Sequence, residues 1–225
     1  DVAVRYRTAS REAQVGGDWY DAFELAGKQL LLVVGDVTGH DLAATAAMGQ
    51  IRGVLRGVAH TLDGSPAQIL VSLDAALRDL AIDKVATAVL ARVEPGTEPG
   101  TQRFRWSNAG HPPPLLIHPD GHCELLQPSP ELLLGVEPST ARSDHELLLT
   151  PGSTVVMYTD GLIERRDDSL TRGLEWLQRR ASMLAGLPLE ALCDALLAEL
   201  PHDAEDDVAL LAVRVMAADD TPKSS

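Results

Sequence analysis

The chain has 225 residues, 45% apolar and 23% charged, and a formal net charge of −14 from 33 acidic against 19 basic side chains. That length and apolar share exclude a disordered chain and predict one large folded domain, while the acidic balance excludes a nucleic-acid surface, because phosphate backbones are held mainly by Lys and Arg. Two isolated cysteines, Cys123 and Cys193, exclude a disulfide framework and predict a reducing, cytoplasmic setting, and no apolar run approaches the roughly 18 residues that cross a bilayer.

Residues 2–6 alternate apolar and polar side chains as a strand does. This strand-like start and the lack of an initiator Met predict a domain cut from a longer protein, with a sensory or regulatory domain upstream. Residues 19–25 and 29–36 are two further strands, joined by the hairpin signal Ala26-Gly27-Lys28. The period then changes from two to 3.6. Residues 42–59 place Ala47, Ile51, Val54, Leu55 and Val58 on one helical face, and residues 66–82 do the same with Ile69, Leu73, Leu77 and Leu80. Ser65-Pro66-Ala67-Gln68 starts the second helix, with a capping hydroxyl, Pro at the first helical position and a Gln that reaches back.

Strand signals return at 87–93, 103–108, 114–118, 123–126, 146–149 and 154–159, with Pro119-Asp120-Gly121 turning one hairpin. Residues 174–184 and 189–200 read as a second helical pair, stopped by Pro201, ahead of a last strand at 208–215. Residues 217–225 have little to bury and predict a frayed tail, which leaves 1–216 as the folded domain. Two helical pairs cover a strand-dominated core only from different faces. The expected fold is therefore α+β, an αββα sandwich of two antiparallel sheets with a helical pair outside each.

The aspartates fall at strand ends. Asp18 follows Gly16-Gly17 and opens a strand, Asp36 closes one after Gly35, Asp160 closes one before Gly161, and Asp206-Asp207 open the last. One Asp beside Gly at a strand end is ordinary turn chemistry. Strand ends of two packed sheets can converge, however, and carboxylates gathered there repel one another unless a cation lies among them. Such a site is all oxygen and suits Mg²⁺ or Mn²⁺. With no His/Cys ligand spacing, zinc is disfavoured.

Five motifs occur in order: Gly16-Gly17-Asp18-Trp19-Tyr20-Asp21, Gly35-Asp36-Val37-Thr38-Gly39-His40, Asn108-Ala109-Gly110-His111-Pro112, Tyr158-Thr159-Asp160-Gly161-Leu162-Ile163-Glu164 and Asp206-Asp207-Val208. Together, over residues 2–215, they resemble the SpoIIE/RsbU-type branch of the bacterial metal-dependent (PPM, type 2C) Ser/Thr protein phosphatases. The resemblance implies the same sandwich, with a pair of Mn²⁺ or Mg²⁺ ions, and at most a third, in a cleft between the sheets. It implies Asp18, Asp36, Asp160 and Asp206 as metal ligands, Asp36 bridging both ions, with the main-chain carbonyl of Val37 as an additional one. Asp36 and Asp160 are the expected catalytic pair, acting through a metal-activated water in a single hydrolytic step. No Cys-x5-Arg signature surrounds either cysteine, which agrees. The partner implied is a phosphorylated anti-anti-sigma (STAS-type) protein, with control of a sigma factor as output; a homodimer is left open. Two other readings remain at this point, a catalytically weak regulatory or binding module of the same fold and a hydrolase of small phosphoesters.

Further residues carry weaker expectations. Asp21 is a supporting acceptor, an outer metal ligand or plain strand surface, and Asp207 competes with Asp206 as ligand. His40 is a poor candidate for a general acid, His111 a structural turn residue, and Trp19, Trp106 and Trp176 core residues. Asp41 stands where the family usually has Gly, where it caps the next helix or disturbs the metals, and Ala209 where it usually has Ser or Thr.

Overall fold

The computed structural model describes residues 1–8, 16–25, 27, 29–39, 41–126, 131–137, 139–164, 169–200 and 206–216. In chain order these form β1 (Val2–Arg7), β2 (Trp19–Leu25), β3 (Gln29–Val37), α1 (Leu42–Thr61), α2 (Pro66–Asp79), β4 (Ala86–Pro95), β5 (Gln102–Ala109), β6 (Leu115–Ile117), β7 (Cys123–Leu125), β8 (His145–Leu149), β9 (Thr154–Tyr158), α3 (Leu170–Leu184), α4 (Leu189–Leu197) and β10 (Val208–Arg214). The strands make two antiparallel sheets of five, ordered β1-β10-β9-β6-β7 and β2-β3-β4-β5-β8. The α+β sandwich expected from the sequence is the fold observed.

Period-two alternation explains the layering. Leu31 and Val33 of β3 face α1 and α2, where they join Ile51, Leu55, Ile69 and Leu73, while Leu32 and Val34 face the other sheet. On β10, Leu210 and Ala212 face α3 and α4, and Ala209, Leu211 and Val213 fill the inter-sheet layer with Phe104, Val155 and Met157. Central strands buried on both faces must be apolar almost throughout, as these are. No helix among the described residues is long and apolar enough to cross a membrane.

Boundaries differ from the sequence reading where capping decides them. Ser65 and Gln68 form the expected reciprocal capping box, but α2 ends at Asp79 instead of running to residue 82, because Ala81 turns into the left-handed region at φ 54°. Helix α3 starts at Leu170, four residues before the expected start at 174, since the Ser169 hydroxyl accepts the Arg172 N–H and makes an earlier cap. Helix α4 ends at Leu197, short of residue 200. Gly121 closes the β6–β7 hairpin at φ 85°, with its N–H donating to the His118 carbonyl. Ala26, Lys28, Pro201 and the expected tail at 217–225 lie outside the described residues.

Candidate metal centre

The two sheets bring the aspartates together because the ends of β2, β3 and β9 lie close to one another. Asp18 immediately precedes β2, Asp36 lies next to last in β3, and Asp160 opens a single 3₁₀ turn directly beyond β9. One carboxylate oxygen from each of Asp18, Asp36 and Asp160 lies within 4.8 Å of the others. Asp18 is 3% exposed, and its Oδ2 is buried with no hydrogen-bond partner among the described residues. An oxygen-only donor set with a buried, unpartnered carboxylate oxygen fits a hard divalent cation such as Mg²⁺ or Mn²⁺.

Two glycines make the approach possible. A Cβ on Gly17 would stand 2.2 Å from the Val37 carbonyl oxygen and 2.8 Å from Asp36 Oδ1, and one on Gly161 would stand 2.3 Å from the Asp207 carbonyl oxygen. Any side chain at 17 would therefore displace the Val37 carbonyl and the Asp36 carboxylate. The Val37 N–H donates to the Gly17 carbonyl at 3.2 Å, which fixes the two segments against each other.

Like charges in a partly dry cleft shift one another. Burial first, and the neighbouring carboxylates second, hold Asp18 and Asp36 above the usual carboxylate range, Asp36 to about 7 and Asp18 higher still. Asp160 is pushed up to about 6 by burial and then by Asp206. The Thr159 hydroxyl opposes the shift at Asp18 by hydrogen bonding to it, and itself accepts the Ala209 N–H at 2.8 Å. That bond gives the Ala209 position its polar contact through the main chain, and the Ala209 side chain is simply core.

Asp206 is exposed and stands at the rim, outside the close group of three but near enough for its charge to act on Asp18, Asp36 and Asp160. Asp207 is buried, and its carboxylate accepts the Tyr6 hydroxyl at 2.7 Å. The structure gives Asp21 a different task from any expected. It is 3% exposed and accepts from Arg56 Nε at 2.5 Å, Arg56 Nη2 at 2.6 Å and Arg52 Nε at 3.1 Å, tying β2 to α1. Burial alone would raise its pKa, but the two guanidinium groups outweigh that and hold it below the usual range. Asp41 caps α1, accepting the Ala44 N–H at 2.7 Å. Trp19 and Trp106 are core residues, and Trp176 packs half-buried against the α3–α4 layer. His40 lies outside the described residues.

His111 is a structural pin between the sheets. Its Nε2 lies 3.0 Å from the Tyr158 carbonyl, which can only accept, so Nε2 carries the proton and Nδ1 accepts from the Thr87 hydroxyl at 2.8 Å. Burial pulls its pKa down to about 3 from an ordinary 6.5, with the Tyr158 carbonyl opposing. A depressed pKa contributes stability that is complete above about 6.5 and is lost as pH falls toward 3. The urea midpoint of the wild type, taken relative to that of His111→Gln, which has no group to charge, is thus expected to fall between pH 7 and pH 4.5. Parallel pH profiles for the two proteins would contradict this account of the ring.

Comparison with known proteins places this geometry. The family model described as Stage II sporulation protein E (SpoIIE) matches residues 26–216. A crystal structure of the RsbU and RsbW domains of a Mycobacterium tuberculosis protein matches with a TM-score of 0.84 at 33% identity, over 96% of this chain and 60% of that one. The PP2C phosphatase domain of SpoIIE from Bacillus subtilis, solved with a fragment of its regulatory domain, matches with a TM-score of 0.74 at 17% identity, over 96% of this chain and 64% of that one, a likeness of fold. The IcfG protein of Synechocystis sp. is 28% identical over 176 residues, which are 68% of this chain and 27% of IcfG. This chain therefore spans about a quarter of that curated relative and under two thirds of both solved chains. The match to the family model runs through the strands and turns that gather Asp36, Asp160 and Asp206, and the chain belongs to the SpoIIE family of PPM-type phosphatase domains.

Proposed function

We propose that this domain, residues 1–216, is a metal-dependent phosphoserine/phosphothreonine protein phosphatase. The observation that carries the reading is the convergence of the Asp18, Asp36 and Asp160 carboxylates, one of them with a buried, unpartnered oxygen. Asp18, Asp36, Asp160, Asp206 and the Val37 carbonyl would hold a pair of Mn²⁺ or Mg²⁺ ions, with Asp36 shared between them as the family resemblance implies. Metal bound there supplies a water of lowered pKa and neutralises charge on a phosphoryl group. The chain's own part is to hold these oxygens in place, with Gly17 admitting the Val37 carbonyl beside Asp36. Both cysteine thiols are raised by burial to about 11, which makes either a poor nucleophile and agrees with hydrolysis by water.

A phosphorylated STAS-type anti-anti-sigma protein is the substrate we favour, in the cytoplasm and under an upstream sensory or regulatory domain. The likeness to a chain that carries RsbU and RsbW domains supports that setting. Turnover of p-nitrophenyl phosphate with Mn²⁺ tests catalysis, and competition by a phosphothreonine protein or peptide tests the substrate class. Turnover without competition would favour a small-phosphoester hydrolase, and Mn²⁺ binding without turnover a regulatory module.

Protons and metal compete for the same oxygens. Carboxylates raised in the folded state hold protons that the unfolded chain has released, so the metal-free protein loses stability as pH rises from about 4 through 6 and 7, where Asp160 and Asp36 titrate. A cation relieves that loss. A ligand at a hundredfold excess over its Kd adds about 2.7 kcal/mol, and for a chain of this size each kcal/mol raises the melting temperature by roughly 2–4 °C. Millimolar Mn²⁺ is therefore expected to raise the melting temperature by several degrees at pH 8 and by much less at pH 5, with EDTA reversing it. A shift that is independent of pH would contradict carboxylate coordination. Because His111 is present with and without metal, its opposite pH dependence cancels in the difference.

A further inference from the structure

Three segments meet on Asp207, the alternative to Asp206 as ligand, whose side chain bonds instead to the Tyr6 hydroxyl. Its carboxylate is 3% exposed, and Gly16 lies so close that a Cβ there would stand 1.7 Å from Oδ2. Gly161, in the turn that carries Asp160, packs on its carbonyl oxygen, 2.3 Å from where a Cβ would be. The Asp207 N–H donates to Asp206 Oδ1 at 2.9 Å. From β1, the Tyr6 hydroxyl donates to Asp207 Oδ2 at 2.7 Å and lies 3.4 Å from the Asp18 carbonyl oxygen. The side chain and main chain of Asp207 thus link Tyr6 to Asp206, to the Gly161 turn that carries Asp160, and, through the Tyr6 hydroxyl, to the backbone of Asp18.

We propose that Tyr6 is a positioning residue of the metal centre, its hydroxyl acting through Asp207 to set the spacing of Asp18, Asp160 and Asp206 that a divalent cation meets. This rests on the metal-dependent reading above. The Tyr6 ring also has a packing role, lying 6.4 Å from the Tyr20 ring centroid. Tyr6→Phe keeps that contact and removes one oxygen, and Tyr6 is 39% exposed, so water can reach the place the hydroxyl leaves.

Groups that orient metal ligands from outside the inner set typically cost 10–100-fold in metal affinity when removed. Isothermal titration is therefore expected to show Mn²⁺ binding to Tyr6→Phe about tenfold more weakly than to the wild type, with the metal-free melting temperature unchanged. On an Asp207→Ala background, which has no acceptor for the Tyr6 hydroxyl, the same substitution should add no further loss, because a residue that acts through another has no effect once the other is removed. Unchanged Mn²⁺ affinity in a wild type that does bind, or a full additional loss on the Asp207→Ala background, would overturn the positioning role alone. A lowered melting temperature with unchanged Mn²⁺ affinity would do so as well, and leave Tyr6 as packing. A wild type that binds no Mn²⁺ would overturn the metal reading and this inference with it.

Discussion

Asp36→Asn is expected to abolish Mn²⁺-dependent phosphatase turnover while the protein stays folded. The loss should go well beyond the roughly 10–100-fold that removing a supporting outer group costs, because Asp36 is proposed as a direct ligand shared by both ions. Its oxygen lies within 4.8 Å of those from Asp18 and Asp160, and a neutral amide at 36 keeps the shape but halves the oxygen ligands and removes the charge. The same change removes one of the like charges that push Asp18 upward. The metal-free variant should therefore be at least as stable as the wild type, while its Mn²⁺-induced melting shift nearly disappears. Circular dichroism and p-nitrophenyl phosphate turnover measure the two halves. A folded Asp36→Asn protein with near-normal turnover would remove Asp36 from the bridging position.

The second large effect concerns stability, at a site far from the metals in sequence. Asp74 of α2 is 1% exposed and accepts from Arg142 Nη2 at 2.6 Å and from the Gly135 N–H at 2.7 Å. The Arg142 side chain is 0% exposed and also donates to the Leu132 carbonyl at 2.9 Å, so this one ion pair clamps the segment between β7 and β8 onto α2. Leu134, held in the same segment, bridges to Ala86 at the start of β4, and Ala86 pairs with Val37 beside Asp36. Taking two charges out of water costs about what their attraction returns, but deleting Asp74 leaves the buried guanidinium with only the more distant Glu131 carboxylate, 4.0 Å away, a loss of about 3–5 kcal/mol. Asp74→Ala should lose that much in urea unfolding, a large share of the roughly 5–15 kcal/mol that holds a domain together. A loss below about 1 kcal/mol, the size typical of an exposed pair, would show that the guanidinium is not dry.

The sequence carried the architecture because local rules and tertiary packing agreed. Strands β3 and β10 are apolar at nearly every position, as burial on two faces demands, and the edge strand β2 is bounded to the residue by the turn signals at 16–18 and 26–28. The Ser65 capping box was legible for the same reason, since all its partners lie within four residues. What escaped depends on partners far apart in the chain. The Asp74–Arg142 pair spans 68 residues and the Tyr6–Asp207 bond 201, and nothing near either residue marks it. Asp21 stands inside a site motif, so the sequence leaves it between a metal-side group and plain strand surface, yet it is buried and turns toward Arg52 and Arg56 on α1. Period two would have said so, since Asp21 shares a face of β2 with Trp19 and Phe23, both in the helix-facing layer. Of the proposed ligands, Asp18, Asp36 and Asp160 come together closely and Asp206 stands at their rim, an arrangement set by where β9 and β10 end and invisible in spacing alone.

Crystals grown with Mn²⁺ and measured at the manganese absorption edge test the central claim most directly, because anomalous scattering locates the metal without reference to activity. The account predicts manganese peaks between the Asp18, Asp36 and Asp160 carboxylates, within direct coordination distance of their oxygens, with the Val37 carbonyl turned toward one of them. Manganese bound elsewhere, in a protein that still hydrolyses a phosphothreonine substrate, would contradict it.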